Sequence, residues 1–185
     1  RFVKIITFLL ILVFAFYGPY TAFLNDTPKA KNNVIDIYPG DSINTSIKKI
    51  SSDSAINKIF IKLFLMSNNI SDFKAGEYSI ENKKVKDIIM DISVGATVTH
   101  KFTILEGTNI YDLEKQINNS VLINDCPYLE CIESSFPFYE GILFPDTYFY
   151  KKGMRSSIIL KKSSKRMSEF IDSLEPNKSV PLSKN

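Results

Sequence analysis

The sequence predicts an α+β protein carried on a single N-terminal membrane helix. Three observations lead there. Ile5 to Leu24 is a run of twenty residues without a charge. At about 1.5 Å per helical residue it reaches roughly 30 Å, the thickness of a bilayer core. Beyond it, short strand-like runs alternate with segments whose apolar residues recur at helical spacing. A strand, glycine turn and capped helix then occur twice: Ile104-Leu105-Glu106-Gly107-Thr108-Asn109-Ile110 repeats Ile37-Tyr38-Pro39-Gly40-Asp41-Ser42-Ile43 at an offset of 67, with Ile117 falling where Ile50 did.

Taken in order, the apolar run is longer than the 7–15 residues of a signal-peptide core. Its exit, Phe16-Tyr17-Gly18-Pro19-Tyr20, is aromatic, which suits an interfacial anchor better than a small-x-small cleavage site. An uncleaved anchor over residues 1–24 is the expectation and a cleavable leader its rival. Arg1 and Lys4 favour a cytoplasmic N-terminus, although Lys29 and Lys31 on the far side pull against that orientation. Residues 25–33 are polar, contain Pro28 and read as a linker. Val34–Tyr38 reads as a strand before a Pro39-Gly40 turn, and Asp41 is the expected N-cap of a helix carrying Ile43, Ile47 and Ile50. A second helix is predicted from Ser54 to Met66 with Ile56, Ile59, Phe60, Leu63 and Phe64 facing inward. Phe73–Ile80 enters a short strand, and Val85, Ile88, Ile89 and Ile92 make an amphipathic helix stopped at Gly95. Residues 34–96 thus form one small strand–helix module, LysM-like by analogy.

The second copy opens the remainder, 97–185. Asn118 to Pro137 is irregular and leads into an aromatic segment. Ile159, Leu160, Met167, Phe170, Ile171 and Leu174 mark a last amphipathic helix, followed by Pro176 and a polar tail without an ending of its own. With an opening Arg in place of Met, this leads to the expectation of a piece of a longer protein.

Composition narrows the chemistry. Without Arg1 and Lys4 the soluble part holds 21 basic against 20 acidic residues, a balance that argues against a nucleic-acid partner. The basic pairs Lys161-Lys162 and Lys165-Arg166 read as a solvated helix face. One histidine and two cysteines do not make a standard zinc site by themselves. His100 lies in the alternation Val98-x-His100-x-Phe102-x-Ile104 and reads as a structural strand residue. Cys126 and Cys131, either side of Pro127, are spaced to close a small disulfide loop in an oxidising compartment or to stay reduced.

The most informative stretch is Tyr139-Glu140-Gly141-Ile142-Leu143-Phe144-Pro145-Asp146-Thr147-Tyr148-Phe149-Tyr150. It holds two carboxylates, a glycine, a proline and five aromatics in twelve residues. Aromatic faces stack on the apolar faces of pyranoses, while carboxylates accept hydroxyl hydrogen bonds or trade protons. The competing reading is an aromatic core turn. Among the acids, Glu140 beside Phe138 and Tyr139 is the best candidate for direct proton transfer, because aromatic desolvation raises a carboxyl pKa. Asp146 after Pro145 suits a turn-capping role. Phe144 and Tyr148 serve as sugar platforms or as core.

These landmarks together resemble the YceG-like family of membrane-anchored endolytic murein transglycosylases. The family's Pro-Gly turn matches Pro39-Gly40, and its Phe-Lys-Ala-Gly-x-Tyr stretch matches Phe73, Lys74, Ala75, Gly76 and Tyr78. Its Glu-Gly turn matches Glu106-Gly107. Its Glu-Gly-x-x-Phe-Pro-Asp-Thr-Tyr signature, the most specific of the four, matches Glu140, Gly141, Phe144, Pro145, Asp146, Thr147 and Tyr148. The order and spacing of all four agree across essentially the whole chain.

The resemblance implies a bacterial inner-membrane protein with a periplasmic ectodomain. It would cut nascent peptidoglycan strands between N-acetylmuramic acid and N-acetylglucosamine, leaving 1,6-anhydromuramic acid ends. A carboxylic acid of raised pKa protonates the glycosidic oxygen, and the C6 hydroxyl of the muramic acid closes on the anomeric carbon. One acid that turns into a base is enough, whereas glycoside hydrolases use a carboxylate pair. No cofactor or metal is demanded. The matched residues Glu106, Gly107, Glu140, Gly141, Phe144, Pro145, Asp146, Thr147 and Tyr148 become the expected substrate-binding set, and cell-wall synthases possible partners. In the family the catalytic glutamate lies in an Ile-Glu-Lys-Glu helix shortly after the segment matched by Pro181-Leu182-Ser183-Lys184-Asn185. Residues 97–185 are therefore expected to be the first part of a transglycosylase domain without its acid, and Glu140 remains a weak catalytic candidate. The other classes to weigh are an inactive peptidoglycan-binding remnant and a membrane-anchored cell-wall scaffold.

Overall fold

A computed structural model of the chain describes residues 2–28, 33–51, 54–132 and 141–174. The architecture is mixed helix and strand, divided into two compact units, Arg1–Val98 and Thr99–Asn185.

In the first unit, helix α1 (Phe2–Asn25) is long and apolar enough to cross a membrane. Strand β1 (Val34–Ile37) pairs antiparallel with β2 (Gly76–Ser79), placing Ile35 opposite Tyr78. Helices α2 (Ile43–Ile50) and α3 (Ala55–Ser67) lie between the strands in sequence, and α4 (Val85–Val94) follows them. Ile47, Ile61, Ile88, Ile89, Ile92 and Tyr78 are fully buried at the centre. Each such aliphatic side chain contributes about 1.5–3 kcal/mol relative to leaving it exposed. The isoleucine spacing of α2 and α4 therefore gives the correct inward face. Gly95 ends α4 in a left-handed conformation (φ 79°), and both its N–H and that of Ala96 donate to the Asp91 carbonyl at 2.9 Å.

Three details differ from the sequence reading. The N-cap of α2 is Ser42, whose side chain accepts from the Thr45 N–H. Asp41 accepts from the Tyr38 N–H and pairs with Lys49 at 2.6 Å, which holds its carboxyl below the usual carboxylate range. In α3, Phe60 is buried as expected and Phe64 packs partly, but the other core positions are Ile61 and Leu65. Ile56, Ile59 and Leu63 face outward. The cause is α1: its aromatic exit docks onto this unit, with the ring of Phe60 5.3 Å from Phe16, 5.6 Å from Tyr20 and 5.9 Å from Phe23. Leu24 is buried in the core, and the Asp26 carbonyl accepts from the Val85 N–H.

The second unit repeats the plan. Strand β3 (His100–Ile104) pairs antiparallel with β4 (Asp146–Tyr150), placing Phe102 opposite Tyr148. Helix α5 (Ile110–Asn118) follows β3, and α6 (Ser156–Leu174) follows β4. The likeness extends past the repeated turn. Tyr78 donates its hydroxyl to the carbonyl four residues earlier, Lys74, and Tyr148 does the same to Phe144. Between the halves of this unit, Pro127–Leu129 forms one 3-10 turn beside the Cys126–Cys131 disulfide, so the bonded alternative holds. The core gathers Phe102, Leu113, Ile117, Leu129, Tyr148 and Leu160, among others. Of the residues expected on the apolar face of α6, Ile159 and Leu160 are buried, whereas Phe170 and Leu174 are largely exposed.

Candidate functional site

The site is built where β3 ends and β4 begins. Ile104 and Asp146 are register partners, so the turn leaving β3 and the segment entering β4 lie side by side. Leu105-Glu106-Gly107 reverses the chain with Gly107 at φ 75°, and the Thr108 hydroxyl donates back to the Leu105 carbonyl at 2.8 Å. Asn109 then caps α5 by accepting from the Asp112 N–H at 2.8 Å. On the other side, Gly141 also sits in the left-handed region (φ 76°), and Ile142 is buried.

Between these segments lies a concave site of about 300 Å³, lined by Glu106, Gly107, Asn109, Gly141, Leu143, Pro145 and further residues of the same turns. A shallower depression of about 440 Å³ continues from it along Thr103, Glu106, Asp146 and Thr147. Apolar walls with a few polar groups are what a ligand with one apolar and one hydroxylated face requires. Glu106 is exposed at the rim, where its carboxylate is free to meet solvent or ligand.

The flanking side chains brace the entry to β4. The Phe144 carbonyl accepts from the Tyr148 hydroxyl at 2.9 Å and from the Ser163 hydroxyl at 3.1 Å. Tyr148 is only 4% exposed, so of its two readings the core one holds. The Phe144 ring is covered by the Arg166 guanidinium at 4.5 Å and meets Phe170 edge-on at 5.6 Å. Asp146 accepts from the N–H of its neighbour Thr147 at 2.7 Å and pairs with Arg166, and these bonds hold its carboxyl below the usual range. A carboxylate so held is a brace. The Thr147 hydroxyl is spent on Thr103, 3.0 Å away across the strands.

The structure thus brings Glu106, Gly107, Gly141, Pro145, Asp146 and Thr147 around one depression, with Phe144 and Tyr148 behind it. Glu140 lies outside the described residues, adjacent in sequence to the lining Gly141. Leu105, Leu143 and Met167 also line the site and were not singled out from sequence. Leu143 occupies a variable place in the signature, and nothing local distinguishes Met167 on its helix. Arg166 was read as part of a solvated basic face. Its partner is twenty residues away in sequence, so only the fold reveals the pairing.

A mixed helix–strand protein with a potential membrane span and a small mixed-polarity cleft suits a membrane-anchored protein of the cell envelope. The YceG-like family model matches residues 35–184, and the chain belongs to the YceG-like family. This family is associated with lytic transglycosylases, which points to a transglycosylase-related role. No curated protein matches the chain.

Proposed function

We propose that the protein acts in endolytic cleavage of nascent peptidoglycan strands between N-acetylmuramic acid and N-acetylglucosamine, leaving 1,6-anhydromuramic acid ends. The observation that carries this is the depression shared by the Glu106-Gly107 turn and the Gly141–Pro145 segment, formed by the two matched motifs of the second unit. In this reading Leu143 and Pro145 meet the apolar face of a pyranose, while Glu106 and Glu140 accept its hydroxyl hydrogen bonds. Phe144, Asp146, Thr147 and Tyr148 keep the wall in place. In the reaction, an acid donates a proton to the glycosidic oxygen as the C1–O bond breaks. The C6 hydroxyl forms the new bond to C1 and gives its proton back to that group. We assign this acid to none of the described residues.

The first unit fits a LysM-like glycan-binding module, a likeness supported by its strand–helix–helix–strand order and antiparallel strand pair. The apolar length of α1 supports a single membrane span. Arg1 and Lys4 before it favour a cytoplasmic N-terminus. With the family, this fits a bacterial inner-membrane protein whose periplasmic ectodomain reaches strands as cell-wall synthases extrude them.

The test is incubation of the full-length protein with uncrosslinked glycan strands, with products read by mass spectrometry. Shortened strands ending in 1,6-anhydromuramic acid are expected. Reducing ends would mean hydrolysis and overturn the reaction, and intact bound strands would leave a binding module. Glu106→Gln should weaken strand retention about tenfold, the equivalent of about 1.4 kcal/mol. Unchanged retention would remove the depression from the glycan path.

A further inference from the structure

Helix α3 carries an apolar face that the other described residues leave exposed. Ile56, Ile59, Leu63 and Met66 are 51%, 51%, 39% and 76% exposed. They recur at i, i+3, i+7 and i+10 and so share one side of the helix. This stripe borders Phe60, the residue that meets Phe16, Tyr20 and Phe23 of α1. It is therefore continuous with the flank of the potential membrane helix, within one folded unit.

The length of α1 indicates what covers it. Leu24 is buried in the protein core, and Tyr20 and Phe23 pack partly against that core. The uncharged stretch of α1 that is exposed throughout runs from Ile5 to Pro19, fifteen residues, and Phe16 within it touches α3 through Phe60. At about 1.5 Å per residue the stretch reaches roughly 22 Å, about 8 Å short of a typical hydrocarbon core. A span that short thins the bilayer locally or draws flanking apolar surface into it. The nearest such surface is the α3 stripe, at the level of the last turns of α1.

We propose that α3 is an interfacial helix, its face Ile56, Ile59, Leu63 and Met66 sunk into the leaflet at the C-terminal end of α1. This rests on the reading that α1 spans a membrane. The hydrocarbon lost beside Tyr20 and Phe23 is replaced by the α3 side chains. Lys62, exposed on the same helix, reaches the headgroups by its flexible stem. The first unit is then seated on the bilayer by two helices, which sets its orientation as well as its distance.

Nitroxide labels on the full chain in phosphatidylethanolamine–phosphatidylglycerol vesicles test this. Single cysteines are introduced by Leu10→Cys, Ile59→Cys, Leu63→Cys or Met66→Cys, all at exposed positions that spare the fold. Cys126 and Cys131 are bonded to each other and do not take the label. Oxygen should relax all four labels more strongly than a water-soluble nickel chelate does, with Leu10 deepest. If Leu10 is deep while the α3 labels respond mainly to nickel, α3 lies in water; the proposal fails and the span stands. α3 labels shielded from both reagents would mean that protein covers the face, which also overturns it. A nickel-accessible Leu10 would remove the membrane span and this proposal together.

Discussion

Asp125 and Asp146 hold helix α6 from two points along its length. Asp125 accepts from the Ser157 N–H at 2.9 Å and the Ser157 hydroxyl at 2.7 Å, so a residue remote in sequence caps the first turn. Partial burial pushes its carboxyl up, but these bonds and that from Ser156 outweigh it and leave the carboxyl below its usual range. Asp146 is held low by the Thr147 N–H and by Arg166, one turn after Ser163 meets the Phe144 carbonyl. Both folded-state values lie below the unfolded value of about 3.9. The stability these groups contribute is complete above that value and is lost as pH falls through the depressed folded values. Thermal unfolding followed by circular dichroism should therefore show a midpoint that drops on acidification below about pH 4. Asp125→Asn should reduce this acid dependence. A pH slope identical to that of the parent protein would show that the cap does not act through its charge.

At the scale of elements, two glycine turns shape the cleft, and one disulfide closes a loop elsewhere in the same unit. Gly107 and Gly141 have φ of 75° and 76°, and a Cβ at either would meet nothing within 4 Å. Gly141→Ala should thus cost only the left-handed backbone penalty, about 1–2 kcal/mol, measurable as a lower unfolding midpoint in urea. A neutral outcome would mean that the turn relaxes to another conformation. Cys126 and Cys131 are five residues apart, and closing so short a loop restricts the unfolded chain by about 2 kcal/mol. Dithiothreitol should lower stability by about that amount and leave the first unit intact.

These elements also show what local pattern can reveal. Helices α2 and α4 were legible because their isoleucines fall on one face and little else competes for it. Helix α3 is apolar over most of its circumference, so its phase is ambiguous until α1 docks on Phe60. Asp41 and Ser42 are neighbours of equal capping propensity, and Lys49 decides between them by drawing Asp41 away. The cleft was legible at Glu106-Gly107 and Gly141 through turn chemistry. Its walls at Met167 and its brace at Arg166 come from α6, whose contacts carry no local signature.

Across the whole molecule, one plan is used twice: strand, glycine turn, capped helix, returning strand with a tyrosine tied to a carbonyl four residues back, and a closing helix. The two buried clusters have no residue in common. Ile88→Ala, which empties a fully buried site, should cost about 2–5 kcal/mol. By hydrogen exchange, the loss should appear at amides of Arg1–Val98 and leave β3 and β4 protected. Equal loss of protection in both units would mean that they unfold as one.

The last two turns of α1 belong to the core of the first unit through Tyr20, Phe23 and Leu24. Folding of that unit therefore needs the C-terminal end of α1 in place, because part of its interior comes from that helix. A protease cutting after Leu24 would not liberate a finished soluble module. It would remove the lid from Phe60 and leave an oily, sticky remnant, so losing α1 and losing the fold become the same event.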